Sequence, residues 1–158
     1  MFSLQFSNFS SNLVLEHYNI IIPHLYIGGI DSLKSSYLFT LIVNCTTHIA
    51  VTGKNPTIRI PIFDDPSETD KLLDYVKNTN VLEKIHQFIM KKNNVLVHCH
   101  AGMQRSCAVV GMYLMKYHRM TPKQVLQFIP TKRSIAFQPQ PTFRKALEEF
   151  YAIQNIHR

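Results

Sequence analysis

The sequence predicts a single α/β domain, and three observations lead to this prediction. Short apolar runs at 41–45 and 95–97 have the composition of buried strands. Apolar residues recur at helical spacing between and after these runs, so strands alternate with helices, as in an α/β sandwich. The chain of 158 residues is 46% hydrophobic, which is enough for one core and leaves no room for a second domain.

Residues 1–19 form a predicted N-terminal arm, followed by the domain at 20–158. The arm contains no Lys or Arg and no long apolar run, so it has the features of neither a signal peptide nor a membrane span. Its apolar residues, such as Phe2, Leu4 and Phe6, can be buried either on the arm's own domain or on a second copy of the chain. A homodimer through the arm is therefore one of two alternatives.

Strands and helices alternate through the first half of the domain. Residues 20–23 and then 25–29 predict a short edge strand that ends in glycines, and further strands are predicted at 41–45 and 57–61. Asp31 is expected to cap a short helix after the edge strand, and residues 62–70 are expected to form a polar loop. Asn80 and Glu83 resemble a capping box, so a helix should begin at residue 81 and lead back to the strand at 95–97.

The second half is predicted to be mostly helical. Residues 107–115 are apolar almost all round, which indicates a helix buried behind the sheet. Thr121, Pro122 and Gln124 have the cap, the first-turn proline and the reciprocal glutamine of a helix start, and Pro130 is expected to stop that helix. A final amphipathic helix is predicted at 143–151.

The stretch between the strand at 95–97 and the helix that opens at Arg105 carries the chemistry. Cys99 and Arg105 bracket five residues, which include Gly102. A strand, a tight loop and a helix N-terminus in this order form a cradle for an anion, because successive backbone N–H groups point inward and the helix dipole adds positive potential. An oxyanion is the expected ligand.

The polar residues of this stretch suit such a cradle. At a helix N-terminus beside an arginine, the pKa of the Cys99 thiol should fall below about 8.5, the value of a free thiol, which makes Cys99 a nucleophile. The Arg105 guanidinium matches two oxygens of a phosphate. Gly102 allows a positive φ or a close backbone approach, and the Ser106 hydroxyl can give a proton to the sulfur when it leaves again.

His98, Cys99, Gly102, Arg105 and Ser106, in this spacing, resemble the signature of the cysteine-dependent protein phosphatases. The segments at 113–117 and 120–129 narrow the resemblance to the small atypical dual-specificity phosphatases, and the likeness extends over residues 22–151. It implies a single-domain fold with a central, mixed and mostly parallel sheet flanked by helices. It also implies that the substrate phosphate is bound by the residues that follow the cysteine, namely His100, Ala101, Gly102, Met103, Gln104 and Arg105.

The mechanism that the resemblance implies has two steps and requires no metal or cofactor. Cys99 displaces the substrate oxygen and becomes a phosphocysteine while an aspartate protonates the leaving group, and the aspartate then activates water to hydrolyse the phosphocysteine. In the family this acid commonly lies three residues after the proline found here at position 61. Asp64 is therefore the first choice and Asp65 the alternative, with ordinary turn chemistry as the competing interpretation of both.

Several neighbouring side chains are expected to support the site. His98 and His100 flank Cys99, but adjacent residues that leave a strand point to opposite sides, so a metal site is not predicted. His98 is instead expected behind the loop, where it bonds the backbone, and His100 at the pocket rim. Gln140 stands where family members often have an asparagine, and the resemblance gives it the role of bracing the loop.

Cys45 and Cys107 have the default interpretation of small buried hydrophobic residues. Cys45 also has a sharper one, since it ends a strand that should neighbour the central strand. Some related phosphatases place a cysteine there that forms a reversible disulfide with the nucleophile, so the resemblance makes Cys45 a candidate redox partner. Lys132 and Arg133 either border the site or are solvated surface charge, and the second interpretation is preferred.

Substrate class divides the functional hypotheses. The net charge of +7 favours an anionic partner, with a merely soluble basic surface as the plainer alternative. The leading hypothesis is a phosphatase of phosphorylated proteins, acting on phosphotyrosine and on phosphoserine or phosphothreonine; an RNA 5′-phosphatase and a non-catalytic phosphoprotein-binding module are the alternatives. Three cysteines without paired spacing indicate a reducing compartment, hence the cytoplasm, or the host cytoplasm or virion if the chain is viral.

Overall fold

A mixed sheet of five strands forms the centre of the fold. The computed structural model describes residues 17–50 and 53–156. The strands are β1 (Tyr18–Ile22), β2 (Leu25–Gly28), β3 (Leu41–Asn44), β4 (Thr57–Arg59) and β5 (Val95–His98). Their order across the sheet is β1-β2-β5-β3-β4, with β1 antiparallel to β2 and every other pair parallel. The predicted α/β architecture with a mostly parallel sheet is confirmed.

In the ranges 17–50 and 53–156, five α-helices accompany the sheet. They are α1 (Thr69–Thr79), α2 (Val81–Met90), α3 (Arg105–His118), α4 (Pro122–Lys132) and α5 (Arg144–Ile156), and two short 3₁₀ segments lie at Ile30–Leu38 and Pro66–Glu68. The first eleven residues of α3 are buried, and this helix packs on β5 and β2 while α4 and α5 pack on its outer side. The prediction of a helix buried behind the sheet is therefore confirmed.

The parallel strands bring their carboxyl ends to one edge of the sheet. Gly28 of β2 and Asn44 of β3 are both paired with His98 of β5, which lies between them. Because the carboxyl ends of parallel strands in α/β sheets are where ligands bind, the loops that follow these strands are positioned to form a common site.

A smaller cluster covers the other face of the sheet. Phe39, Ile42 and Leu96 are its buried members, and Tyr18 and Tyr26 pack against them. The rings of Tyr18, Tyr26 and Phe39 meet edge to face at centroid distances between 5.3 and 5.9 Å. This arrangement lets aromatic rings cover the second face beside the 3₁₀ segment at Ile30–Leu38.

Two helix starts differ from the prediction. Asp31 lies in the first turn of its 3₁₀ segment, and the cap position belongs to Gly29. Asn80 makes no side-chain capping bond to α2; its φ of 53° places it in the left-handed region, where it ends α1 and begins α2. Asn tolerates this conformation better than most residues, so the residue breaks a helix here rather than capping one.

Helix α1 was not predicted, and α4 extends further than predicted. The buried residues Thr69, Leu72 and Val76 are spaced three and four apart on α1, a pattern that the polar residues around them obscure. Pro130 lies inside α4, which continues to Lys132. A proline removes only one backbone donor. Because Pro130 lies close to the end of the helix, the loss of that donor is tolerated. The predicted capping box of Thr121 and Gln124 is confirmed, with both reciprocal bonds formed.

Most of the predicted arm lies outside the described residues, except that Tyr18 and Asn19 belong to β1. Its packing, on its own domain or on a second copy, stays a prediction. In the ranges 17–50 and 53–156, none of the helices combines the length and the apolar character needed to cross a bilayer.

Candidate active site

A cavity of about 490 Å³ opens at the carboxyl edge of the sheet, where β5 is followed by the loop at 99–104 and by the N-terminus of α3. The residues that line it are Asp64, Cys99, His100, Ala101, Met103, Gln104, Arg105, Gln138, Pro139, Gln140 and Thr142. The first seven come from the segments of the predicted acid and the predicted phosphate-binding loop, and Gln140 is the predicted brace. The structure therefore brings the predicted nucleophile, arginine and acid to a single cavity.

The loop at 99–104 has its carbonyl groups turned outward. The donors to the carbonyls of residues 100 to 104 are, in order, the Ile30 N–H at 2.8 Å, Arg133 Nη2 at 3.1 Å, Arg133 Nε at 2.8 Å, the Phe137 N–H at 2.7 Å and the Ala108 N–H at 2.8 Å. In a trans peptide the N–H points opposite to the carbonyl of the same plane. The N–H groups of the residues that follow therefore face the inside of the loop, which is the arrangement that binds an oxyanion.

Gly102 occupies a position that only glycine fits. Its φ is +69°, and a Cβ added there would lie 2.6 Å from the backbone carbon of Gly28. Its N–H donates to Cys99 Sγ at 3.2 Å. The missing side chain thus allows the loop to pack on the end of β2 while one of its amides reaches the sulfur.

The Cys99 thiol is buried, with 2% of its surface exposed, yet its pKa lies below the ordinary value. Burial alone would raise the pKa, but hydrogen bonds from Ser106, the charge of Arg105 and the Gly102 N–H together outweigh it. The Ser106 hydroxyl lies 3.2 Å from the sulfur. These groups favour the thiolate, which is the nucleophilic form of cysteine.

Arg105 and Glu68 hold the segment that carries the predicted acid. Arg105 is buried, and its Nη1 donates to the carbonyl of Ile62 at 3.1 Å. The Phe63 N–H donates to Oε1 of Glu68, a carboxylate that is itself buried, at 3.2 Å. Sequence analysis did not identify Glu68, because a glutamate in a polar loop carries no signal of burial.

Asp64 and Asp65 have different surroundings. Asp64 is exposed and lines the cavity. Asp65 is not among the residues that line the cavity. Its Oδ1 accepts the Ser67 N–H at 2.8 Å and caps the 3₁₀ segment at Pro66–Glu68. That backbone hydrogen bond lowers the pKa of the Asp65 carboxyl, so this group holds a proton less readily than an ordinary aspartate.

Arg133 differs most from the prediction. It was interpreted as solvated surface charge, but only 3% of it is exposed, and its guanidinium bonds the carbonyls of Ala101 and Gly102 and the Asn19 side chain. Lys132, its neighbour, is exposed as predicted. Two basic residues at the end of a helix do not by themselves indicate which side chain is buried. Only the packing of α4 beside the loop decides this.

The expected brace between the loop and the segment at 138–142 is present with different atoms. Gln104, predicted to bind substrate, is mostly buried, and its Nε2 donates at 2.9 Å to the carbonyls of both Gln138 and Gln140. Its Oε1 accepts the Thr142 N–H at 3.0 Å. Gln140 thus contributes its backbone carbonyl, and the bracing side chain is that of Gln104.

His98 lies buried behind the loop, where its Nδ1 is 3.3 Å from the carbonyl oxygen of Cys99. Among the described residues, its Nε2 has no hydrogen-bond partner. Burial, together with the nearby charges of Arg59 and Arg105, lowers the pKa of His98, so the ring is neutral near pH 7. His100, by contrast, is exposed and lines the cavity.

The other two cysteines are buried near the site. Cys45 follows β3 directly, and its N–H donates to the His98 carbonyl at 2.8 Å, so Cys45 lies beside the point where Cys99 follows β5. Cys107 donates to the Gly102 carbonyl at 3.6 Å. Burial raises the pKa of both thiols, so Cys99 alone of the three has the surroundings of a reactive cysteine.

Metal-ligating side chains do not gather at this site. Within 17–50 and 53–156, no three His, Cys, Asp or Glu side chains lie close enough together to hold a metal ion. The cavity instead offers backbone amides, a guanidinium and a carboxylate around one sulfur. Such donors suit a phosphoryl oxyanion.

Comparison with known proteins gives consistent results. The family model described as dual specificity phosphatase, catalytic domain, matches residues 25–153. A protein of Invertebrate iridescent virus 6 that bears the name of a tyrosine phosphatase, 123R, is 38% identical over 132 residues, which are 82% of this chain and 89% of that protein. Human dual specificity protein phosphatase 15 is 34% identical over 138 residues, which are 82% of this chain and 44% of that protein.

A solved structure shows the same fold. The crystal structure of human DUSP28 superposes with a TM-score of 0.76, covering 90% of this chain and 97% of the other at 23% identity. At this identity the likeness concerns the fold, and it agrees with the sheet and the helices described above.

Proposed function

The chain belongs to the dual-specificity phosphatase family and is a protein phosphatase, and from this premise we propose that the chain hydrolyses phosphotyrosine and phosphoserine or phosphothreonine with Cys99 as its nucleophile. The observation that carries the assignment is the position of the Cys99 sulfur. It lies in the cavity, bonded by Ser106 and by the Gly102 N–H, at the centre of a loop whose carbonyls all point away.

In the first step, the Cys99 thiolate attacks the phosphorus of the bound phosphate monoester. A sulfur–phosphorus bond forms as the bond from phosphorus to the substrate oxygen breaks. Asp64 gives its proton to that oxygen, so that an alcohol or phenol leaves rather than its anion. Arg105 and the inward N–H groups of the loop stabilise the charge on the three remaining phosphoryl oxygens.

In the second step, a water molecule attacks the phosphocysteine. The Asp64 carboxylate takes a proton from the water, an oxygen–phosphorus bond forms and the sulfur–phosphorus bond breaks. The Ser106 hydroxyl, 3.2 Å from the sulfur, stabilises the departing thiolate by hydrogen bonding. Inorganic phosphate leaves and Cys99 is ready for another turnover.

The assignment of Asp64 rather than Asp65 rests on their contacts. The Asp65 carboxylate is occupied by the Ser67 N–H and is held in its ionised form, whereas a general acid has to carry a proton. Asp64 is on the cavity wall, beside the peptide that Arg105 and Glu68 hold. This arrangement supports Asp64 as the acid.

The charge of the cavity supports a protein monoester as substrate. Among the described residues that line it, Arg105 is the only one with a permanent positive charge. One guanidinium and the loop amides suit a single phosphate group, whereas a triphosphate RNA end or an inositol phosphate headgroup needs further cations. The net charge of +7 is thus not concentrated at the cavity, which favours a protein substrate over RNA in this proposal.

We also propose that Cys45 protects the nucleophile from irreversible oxidation. A peroxide converts the Cys99 thiolate to a sulfenic acid, and the Cys45 thiol then displaces water from that sulfur to form a disulfide. Neighbouring strands lie about 4.8 Å apart, which falls within the Cα separation of disulfides. The mechanism requires a reduced sulfur, so we place the working protein in a reducing compartment such as the cytoplasm of a cell or of a viral host.

The function is tested with a panel of substrates: a phosphotyrosine peptide, a phosphothreonine peptide, RNA with a 5′-triphosphate, and an inositol lipid. We expect turnover of both peptides, little turnover of the RNA and the lipid, and loss of all turnover in Cys99→Ser. Cys45→Ser is the matched control, because it makes the same change at a buried cysteine outside the cavity and should leave turnover under reducing conditions intact. Turnover that survives in Cys99→Ser would exclude Cys99 as nucleophile.

A further inference from the structure

We propose that Arg133 is a positioning residue that aims two peptide groups of the phosphate-binding loop at the reacting centre, and that Asn19 of β1 orients Arg133 for this task. The inference rests on the proposed function, because it names what holds the loop in its working shape. Arg133 follows α4 and does not line the cavity, so it acts through the loop and not on the substrate.

Arg133 bonds the carbonyls of two successive peptide planes in the loop. Arg133 Nη2 holds the Ala101 carbonyl at 3.1 Å, and the N–H of the same plane, that of Gly102, points the opposite way and donates to Cys99 Sγ at 3.2 Å. Arg133 Nε holds the Gly102 carbonyl at 2.8 Å, so the Met103 N–H of that plane is likewise turned toward the inside of the loop. One guanidinium therefore sets the direction of two inward N–H groups.

The carbonyls of the loop differ in the kind of donor that each accepts from. The carbonyls of His100, Met103 and Gln104 are held by backbone N–H groups, which any sequence could supply. The carbonyls of Ala101 and Gly102 are held by the Arg133 side chain, and Cys107 Sγ adds only a longer contact of 3.6 Å to the Gly102 carbonyl. The two short bonds therefore depend on the identity of one residue. Substitution of Arg133 is the change that would release them.

This role requires an arginine, and Asn19 orients its side chain. The guanidinium presents donors in a fixed plane, and the third contact, from Nη1 to Asn19 Oδ1 at 2.8 Å, sets the rotation of that plane. Asn19 is itself buried, with 6% of its surface exposed. A lysine at position 133 could reach one carbonyl but not hold two in a defined geometry.

Charge acts in the same direction as geometry. The positive guanidinium lies behind the two peptide groups whose N–H ends face the sulfur and the phosphate, and it polarises them in the sense that strengthens their donor ends. Gly102 lets this contact be close, because a Cβ there would come within 2.7 Å of Arg133 Nη2. The thiolate and a bound oxyanion should both be stabilised.

The test compares Arg133→Gln, Arg133→Lys and Asn19→Ala with Lys132→Gln as the matched control. Lys132→Gln removes the same charge from the adjacent, exposed position. Each protein is measured for the pH dependence of Cys99 alkylation by iodoacetamide, the dissociation constant of vanadate, kcat and KM for p-nitrophenyl phosphate, and thermal unfolding. A role confined to folding would change the last measurement and leave the first two unaltered.

We expect Arg133→Gln to move the alkylation midpoint to higher pH, to weaken vanadate binding and to lower kcat by roughly 10- to 100-fold, below the loss typical of removing an oxyanion donor outright. Arg133→Lys should recover part of each loss, Asn19→Ala should show a smaller loss of the same kind, and Lys132→Gln should match the wild type.

If folded Arg133→Gln has the same thiol titration and the same vanadate affinity as the wild type, the inference is overturned. Should that variant fail to fold, the same result in folded Arg133→Lys would overturn it equally. A wild-type protein that binds vanadate but turns over no phosphopeptide would contradict the proposed function instead, and the two failures are therefore distinguishable.

Discussion

At the scale of single residues, Cys99 combines burial with an acidic thiol. Desolvation opposes the thiolate, and the contacts of Ser106, Arg105 and Gly102 exceed that effect, so the net shift of the Cys99 pKa is downward. Each contact comes from the loop or from the first turn of α3, which shows how a nucleophile can be shielded from bulk water and remain ionised.

Ser106→Ala should raise the pKa of the Cys99 thiol. The variant removes the hydroxyl 3.2 Å from the sulfur, which is one of the contacts that favour the thiolate. The pH at which iodoacetamide reactivity rises should therefore shift upward, and hydrolysis of the phosphocysteine should slow roughly tenfold, as expected for the loss of one hydrogen bond to a charged group. Ser134→Ala, at an exposed serine, serves as the control, and an unchanged titration in Ser106→Ala would contradict the prediction.

Asp64→Ala should slow the enzyme in a way that depends on the leaving group. Alkyl phosphates need the proton of a general acid, so we expect a loss of roughly 100-fold or more in kcat for phosphothreonine peptides and a much smaller loss for p-nitrophenyl phosphate. Asp65→Ala is the comparison, since that residue caps the 3₁₀ segment and its loss should lower stability slightly with little effect on turnover. Equal losses on both substrates would instead favour a structural role for Asp64.

At the scale of elements, the site depends on neighbours that are distant in the chain. The loop between β5 and α3 is contacted by Gly28 at the end of β2 and Ile30 after it, by Arg133 after α4 and by the segment at 138–142. Each of these contacts orients a peptide group or a side chain at the cavity. The rigidity of the loop is therefore a property of the packed elements around it.

Strands β3 and β5 bring two cysteines side by side, which leads to a prediction about oxidation. After mild peroxide treatment, mass spectrometry of the wild type should show a peptide linking Cys45 to Cys99, and thiols should restore turnover. Cys45→Ser should instead accumulate irreversible sulfinic acid at Cys99 and lose recoverable activity. The absence of the linked peptide in oxidised, inactive wild type would contradict this prediction.

At the scale of the whole molecule, His98 should make stability depend on pH. Its folded-state pKa is lowered from an unfolded value of about 6.5, chiefly by burial, so between the two values the unfolded chain binds more protons than the folded one. The free energy of unfolding should therefore fall as the pH drops below about 6.5 and through the folded-state pKa, and no such loss from His98 should occur above that range.

Urea unfolding at about pH 7 and about pH 5 measures this effect, with His98→Asn as the comparison. The wild type should lose more stability on acidification than the variant, because the variant lacks the buried group that must become charged. An equal loss in both proteins would show that other groups account for the acid sensitivity.

Several elements could be predicted because their signals are local. Strand β5 is a continuous apolar run, α3 is apolar almost all round, and the Thr121 capping box lies within four residues. The spacing of Cys99, Gly102, Arg105 and Ser106 is local as well, because the strand, the tight turn and the helix N-terminus are consecutive in the chain. Helix α1 and the left-handed Asn80 were not recognised, since polar residues interrupt the pattern there.

The sequence by itself determined the fold class, the family and the loop that carries the nucleophile, because periodicity and short motifs encode them within a few turns of chain. Only the tertiary structure decided that Arg133, Glu68 and Gln104 face inward, that Asp65 serves as a cap, and that Cys45 lies beside Cys99. The physical reason is that the direction of a charged or polar side chain depends on which buried carbonyls and amides lack partners, and those groups are brought together by residues that are far apart in the chain.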